Sequence, residues 1–348
     1  MPSKEFEMDL TTNYMGLELP SPLVASASPL TADLASLVLL QDAGAGAVVL
    51  PSLFAEQIEA ETRRHIALSM AGADSSPEAR SYLSAPDADA DQSEAHRYLD
   101  LVRRASSELT IPVIASLNGA TEANWTDYAR QLEDAGASAL ELNIYFIAAD
   151  LTLDGRAIEA RYLHIVQAVR RHVRIPLAVK LSPYFSAPGN FALQLAQAGA
   201  NGLVLFNRFY QPDIDTVRLK LRHNLELSRS SEMRLALLWT GILHGRIEAS
   251  LAASTGVDTP DNVVQYLLAG ADVVMTTSAL LRHGAGHIPT LVDGLAAWLG
   301  HRQMTLGTMR GMLSQCNSAD PEDYQRANYM KILAGYGTAP AYREGSIQ

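Results

Sequence analysis

Two patterns of apolar residues alternate along the chain. In LTADLASLVLLQDAG, NWTDYARQLEDAG, IEARYLHIVQAVRRH, NFALQLAQAG and DNVVQYLLAG, apolar positions recur every three or four residues. That spacing predicts amphipathic helices. Between them stand short apolar runs without polar alternation, as parallel strands covered on both faces require. The runs are PLVASAS (22–28), GAVVLPS (46–52), IPVIASLN (111–118), SALELNIY (138–145), PLAVKLS (176–182), GLVLFN (202–207), LAASTGV (251–257) and ADVVMTT (271–277).

A repeated phrase joins the two patterns. It reads DAGAGAVVL at 42–50, DAGASALEL at 134–142, QAGANGLVL at 197–205 and LAGADVVM at 268–275. Each copy predicts a helix end, a stop at Gly44, Gly136, Gly199 or Gly270, and then a buried strand. About eight such units describe a closed (β/α)8 TIM barrel better than an open sheet, which would not reuse one unit from end to end. Two connections are long. The first, 53–110, has a polar middle, AGADSSPEARSYLSAPDADADQSEA, expected to form a mobile rim or lid. The second, 208–250, holds an insertion and then LALLWTGIL, the expected sixth helix. Beyond about 303 the chain reads as a helical extension, giving one barrel domain over 1–335 and a frayed tail over 336–348.

Composition narrows the function classes. The 348 residues are 48% apolar and 19% charged, which excludes collagen-like, coiled-coil and wholly disordered chains. Lys and Arg number 27 against 38 Asp and Glu, and no basic cluster offsets the net charge of −11, so nucleic acid is not an expected partner. The single cysteine, Cys316, forms no internal disulfide and reads as a bystander. No apolar run reaches the roughly 18 residues of a membrane span. MPSKEFEMDL lacks an apolar signal core, and a cytoplasmic, soluble protein is expected. Nine histidines without HxH or HExxH spacing argue against a metal centre.

In such barrels the chemistry sits at the C-terminal ends of the strands. There the sequence places Ser26 and Ser28, Pro51 and Ser52, Ser116 and Asn118, Asn143 and Tyr145, Lys180 and Ser182, Asn207 and Arg208, Thr255 and Gly256, and Thr277 and Ser278. STG (254–256) and TTS (276–278) stand where barrels bind phosphate, after strands seven and eight. Ordinary turn and helix-cap chemistry is the other use of such residues. Lys180, between Val179 and Leu181, needs an anionic or carbonyl partner. It suits a Schiff base, a fixed charge beside a cofactor, or a structural ion pair with Glu141 one strand back. Asn118, Asn143 and Asn207 offer donors and acceptors to a heterocycle, though any one of them could cap a helix instead.

At these residues the chain resembles the dihydroorotate dehydrogenase family, in particular its soluble FMN-dependent branch. The phrases that carry the resemblance are SPLVASAS, IPVIASLNG, ALELNIY, IPLAVKLSPYF, GLVLFN and ASTGVDTPDNVVQYLLAGADVVMTTSALLRHG, within 8 to about 312. The resemblance implies FMN at the strand ends, its phosphate on Thr255, Gly256, Thr277 and Ser278. Ser26, Ala27, Ser28, Asn118, Asn143, Lys180 and Asn207 would surround the ring and the substrate, with Lys180 placing charge near the flavin N1 and O2. A homodimer, pyrimidine biosynthesis and an unidentified electron acceptor belong to the same implication.

The departures fall on the substrate side. The family's Cys or Ser base corresponds to Phe146, and its next substrate-binding asparagine to Ala148. The lysine expected after strand two is replaced around Pro51 and Ser52, leaving Ser52 as a substrate contact. Arg208 stands where a hydroxyl or amide is expected and suits a carboxylate. Tyr145, Tyr210 and Ser182 are the substitute bases on offer. Three functions follow: an FMN oxidoreductase acting on dihydroorotate or a related small unsaturated anion, a flavin-binding protein without turnover, or a Schiff-base lyase through Lys180.

Overall fold

The computed structural model of the chain describes residues 8–54, 94–118, 122–144, 146–208, 212–222 and 225–336. Eight parallel strands close into a ring: β1 (Leu23–Ala25), β2 (Ala47–Phe54), β3 (Val113–Asn118), β4 (Ala139–Asn143), β5 (Leu177–Leu181), β6 (Gly202–Leu205), β7 (Ser250–Ala253) and β8 (Val273–Thr276). Each pairs with the next, and β8 pairs with β1. Outside them run α1 (Leu34–Asp42), α2 (Glu94–Glu108), α3 (Glu122–Asp134), α4 (Gly155–His172), α5 (Pro188–Gln197), α6 (Arg234–Leu243) and α7 (Pro260–Ala269). A short α8 (Ser278–His283) and then α9 (His287–Arg302) follow β8. The extension beyond 303 contains α10 (Leu306–Met309) and α11 (Arg326–Tyr336). This is the (β/α)8 barrel that the repeated phrase predicts.

The repeat works as its sequence suggests. Gly44, Gly136, Gly199 and Gly270 all take φ between 97° and 116°, the left-handed turn that ends a helix and returns the chain to the barrel. In the first copy Gly46 has a further duty. It passes so close to the Ser21 carbonyl that a Cβ would lie 1.8 Å from that oxygen.

Two elements depart from the sequence reading. The connection 53–110 carries, after its polar middle, a full helix, α2, that the sequence reading does not single out. Its buried stripe of Ala95, Leu99, Val102 and Ala105 recurs every three or four residues against a charged outer face. The polar stretch at 71–93 lies outside the described residues. The second departure is an N-terminal hairpin, Thr12–Tyr14 with Leu17–Leu19, turned by Met15 and Gly16 at positive φ. Tyr14, Met15 and Leu19 plug the bottom of the barrel against Val24, Val49, Ile114, Val204 and Val273.

Above that plug the interior turns polar. Side chains two apart on a strand share a face, so β3 continues Ile114, Ser116, Asn118, β4 continues Ala139, Glu141, Asn143, and β5 continues Ala178, Lys180. Beside them the β2–β3 register shifts between Val49 and Ser52, a bulge that contains Pro51. Next to this break the half-buried Tyr98 of α2 accepts from the Ser116 N–H at 3.1 Å and donates to the Ser116 carbonyl at 3.2 Å. Burial pushes that phenol well above its ordinary value, so it stays protonated and keeps donating. The apolar remainder packs between strands and helices as one outer core.

Gly46→Ala is expected to cost about 3 kcal/mol, the top of the usual range for overpacking, because a backbone carbonyl cannot step aside as a side-chain tip can. Urea unfolding checks this, and a midpoint within error of the wild type would refute it.

Candidate active site

A cavity of about 860 Å³ opens at the C-terminal ends of the strands. Of the residues singled out in the sequence, Ser26, Ala27, Ser28, Lys180, Asn207, Arg208, Thr255, Gly256, Thr277 and Ser278 line it. Asn143, Ser52 and Asn118 stand on β4, β2 and β3 outside that lining. Asn143 joins the site through a hydrogen bond, and Asn118 is buried. Tyr145 and Tyr210 lie outside the described residues. Ser182 is buried and accepts from the Tyr184 N–H, the work of a turn residue.

At one end of the cavity three segments meet. Thr255 and Gly256 follow β7 with φ of 80° and 74°. Tyr266 of α7 ties this turn down by donating to the carbonyls of Ser254 and Thr255 at 3.0 and 2.8 Å. A Cβ on Gly256 would lie 2.7 Å from the Arg229 carbonyl, so only glycine fits. Ser228, from the stretch after the insertion, completes the cradle. Its hydroxyl accepts from the Gly256 N–H at 3.3 Å and donates to Ser278 Oγ at 2.9 Å, while its own N–H also donates to Ser278 Oγ. Arg282 donates to the Ser228 carbonyl and pairs with Asp258 at 3.2 Å. The sequence reading missed Ser228 and Tyr266. The serine-rich LSRSS at 227–231 is the one local signal for the first. A tyrosine inside an amphipathic helix gives none for the second.

The floor of the cavity is charged and internally paired. Lys180 Nζ lies 3.2 Å from Glu141 Oε1, with the two side chains 12% and 1% exposed. This is the ion pair that the sequence admits as one use of Lys180. Among the described residues, the other Glu141 oxygen is buried without a hydrogen-bond partner. Beside the pair runs a neutral chain. Asn207 Nδ2 donates to Asn143 Oδ1 at 2.7 Å, Asn143 Nδ2 donates to Ser52 Oγ at 3.0 Å, and Ser52 and Ser116 hydroxyls lie 2.8 Å apart. Four strands are thereby bonded through side chains across the barrel mouth.

No protein-family model matches the chain. An Aeropyrum pernix protein provisionally named dihydroorotate dehydrogenase A (fumarate) is 31% identical over 207 residues, 57% of this chain and 66% of that one. The catalytic subunit of dihydroorotate dehydrogenase B (NAD(+)) from Shouchella clausii is 26% identical over 208 residues, 54% of this chain and 64% of its own. Over the matched stretches the chain is similar to dihydroorotate dehydrogenases. A more distant relative, the NAD-dependent dihydropyrimidine dehydrogenase subunit PreA of Escherichia coli, is 22% identical over 234 residues, 62% of this chain and 56% of its own. The chain spans just under two thirds of the length of the curated relatives it matches first.

Against that family the substituted positions have definite surroundings. The Phe146 ring lies under the Arg161 guanidinium of α4, 4.4 Å from ring centroid to guanidinium carbon, and is not part of the cavity lining. The segment bearing it is anchored by Tyr162, which donates to the Ile144 carbonyl at 2.9 Å; burial pushes this phenol up to about 12. Arg208 is held by Glu232 through two contacts of 3.0 and 3.3 Å.

Removing one member of the floor pair should show how much the other depends on it. Lys180→Met leaves Glu141 buried and unpaired and is expected to cost about 3–5 kcal/mol. Adding Glu141→Gln should recover most of that loss, as read by denaturant midpoints. A double variant no more stable than Lys180→Met would show that the two side chains do not act as a pair.

Proposed function

We infer that the protein is an FMN-dependent oxidoreductase of the dihydroorotate dehydrogenase type, acting on a CH–CH bond of dihydroorotate or a small relative of it. The observation that carries this reading is the union, in one strand-end cavity, of an anion cradle after β7 and β8 with a buried lysine on β5. The residues fit FMN. Gly256 has no room for a Cβ, and the hydroxyls of Ser228 and Ser278 converge with the Gly256 N–H as the oxygens of a phosphate would require. Thr255, Gly256, Thr277, Ser278 and Ser228 would hold that phosphate. Ser26, Ala27, Ser28, Asn118, Asn143, Lys180 and Asn207 would surround the ring and the substrate.

When bound, FMN supplies a two-electron acceptor for hydride. Lys180 would hold a positive charge beside the ring. Glu141 holds the ammonium in place. Asn143 and Asn207, tied to each other, orient a ring by its polar edges. Proton removal is assigned to Tyr145, which directly follows Ile144 after β4 and is a neighbour of the family's base position. A flavin-binding protein without turnover is the second reading, favoured by Phe146, whose ring accepts no proton and whose place is beside Arg161. The lyase reading is the weaker one, because the Lys180 amine is already engaged by Glu141 at 3.2 Å.

Among the described residues, no helix is long and apolar enough to cross a membrane. An exposed apolar patch supports the homodimer that the resemblance implies. The insertion hairpin Asp213–Asp215 with Lys220–Arg222 exposes Ile214, Val217, Leu219 and Leu221.

The purified protein should be yellow, with one FMN per chain by absorbance, and Ser278→Asp should be folded but colourless because a carboxylate faces the phosphate. Full flavin occupancy in that variant would remove the cradle from the site. An anaerobic substrate that bleaches the flavin separates turnover from binding alone. Tyr145→Phe should keep the flavin and lower turnover by about 10²-fold or more, the usual share of a general base. An undiminished rate would assign the proton to another group.

A further inference from the structure

Resting on the flavin-site reading, we propose that the substrate is an uncharged ring with amide-type C=O and N–H edges, not a carboxylate. Among the described residues lining the cavity, the cations are Lys180 and Arg208. Each already faces an anion of this chain. Lys180 is 3.2 Å from the buried Glu141, and Arg208 meets Glu232 along one edge of its guanidinium, through Nε and Nη2, at an exposed position. Glu232 is itself placed by the backbone, since its Oε1 also accepts from the Arg229 N–H at 3.3 Å.

The remaining charged groups in the lining are carboxylates, Asp213 and Glu226, with Asp213 bonded to Arg222. Two cations therefore stand against three carboxylates in the lining, before Glu141 behind Lys180 is counted. The lysine that the family resemblance leads one to expect after β2 is replaced by the bulge at Pro51 and by Ser52.

Among the described residues of the lining, these two are the cations a ligand carboxylate would meet, and pairing with either carries a penalty. At Arg208 it must displace Glu232 or share the guanidinium with it, setting two like charges side by side. At Lys180 it must draw the ammonium from Glu141 and leave a buried charge unpaired. A neutral ring meets neither obstacle. Asn207 lines the cavity with its amide already oriented by Asn143, and among the described residues nothing takes its carbonyl oxygen. An amide so held matches a cyclic imide or amide edge, donor to acceptor and acceptor to donor.

The test is calorimetric binding of uracil and dihydrouracil against orotate and dihydroorotate, on the protein as purified. The uncharged rings should bind at least tenfold more tightly than the carboxylated ones. Glu232→Gln, which frees Arg208, should gain tenfold or more for orotate, and Arg208→Gln added to it should remove that gain. Melting curves of the variants exclude loss of fold as the cause. Orotate binding as tight as uracil in the wild type, no measurable uracil binding, or no gain in a folded Glu232→Gln overturns the proposal. Flavin absorbance is scored on the same samples. A yellow protein that prefers orotate sinks this inference alone, whereas a colourless one sinks the flavin reading and this inference with it.

Discussion

A buried ammonium must have its counter-charge within reach, and in this barrel the pair Lys180–Glu141 decides what the interior can be. Unpaired, either group would be strongly unfavourable there; together they convert the upper half of an apolar barrel into a place for polar chemistry. The pairing depends on closure. The β4–β5 register sets Glu141 beside Ala178 and Asn143 beside Lys180, so the carboxylate approaches the ammonium diagonally from one layer below. The hairpin at 12–19 fills the bottom with Tyr14, Met15 and Leu19, completing the enclosure of Glu141. The asparagine and serine chain above it carries hydrogen bonds but no charge.

Around that floor the cavity divides by the kind of group used. The end by β7 and β8 is built mainly from backbone and small hydroxyls, held by Tyr266 and by a glycine that cannot be replaced without meeting the Arg229 carbonyl. Such a surface suits an anion of fixed shape. Close to it stand the long side chains of Arg208 and Glu232, which pair with each other.

The single sequence already held the architecture. Four copies of one phrase set helix stops at Gly44, Gly136, Gly199 and Gly270, and all four take the left-handed conformation that the reading demands. The buried strands were legible for the same reason: a strand covered on both faces has an uninterrupted apolar run, a property of adjacent residues. STG and TTS could be placed together because strands seven and eight of a closed parallel barrel are neighbours. The helical period is present in Glu94–Glu108 as well, whose stripe of Ala95, Leu99, Val102 and Ala105 faces away from its charged residues.

What the sequence determined was therefore local: the period of each segment, its stops, and the residue types at each strand end. Which side chain takes which partner was decided only by the tertiary structure. Lys180 carries equally good local grounds for a Schiff base, a fixed charge or an ion pair, and only the β4–β5 register brings Glu141 to 3.2 Å. Arg208 reads as free to bind a carboxylate until Glu232, 24 residues on, closes over it. Ser228 looks like loop, and becomes part of a cradle because Gly256 and Ser278 are folded against it. Backbone periodicity is written by neighbours along the chain, whereas the electrostatic state of a site depends on distances of a few Å between residues that the chain itself keeps far apart.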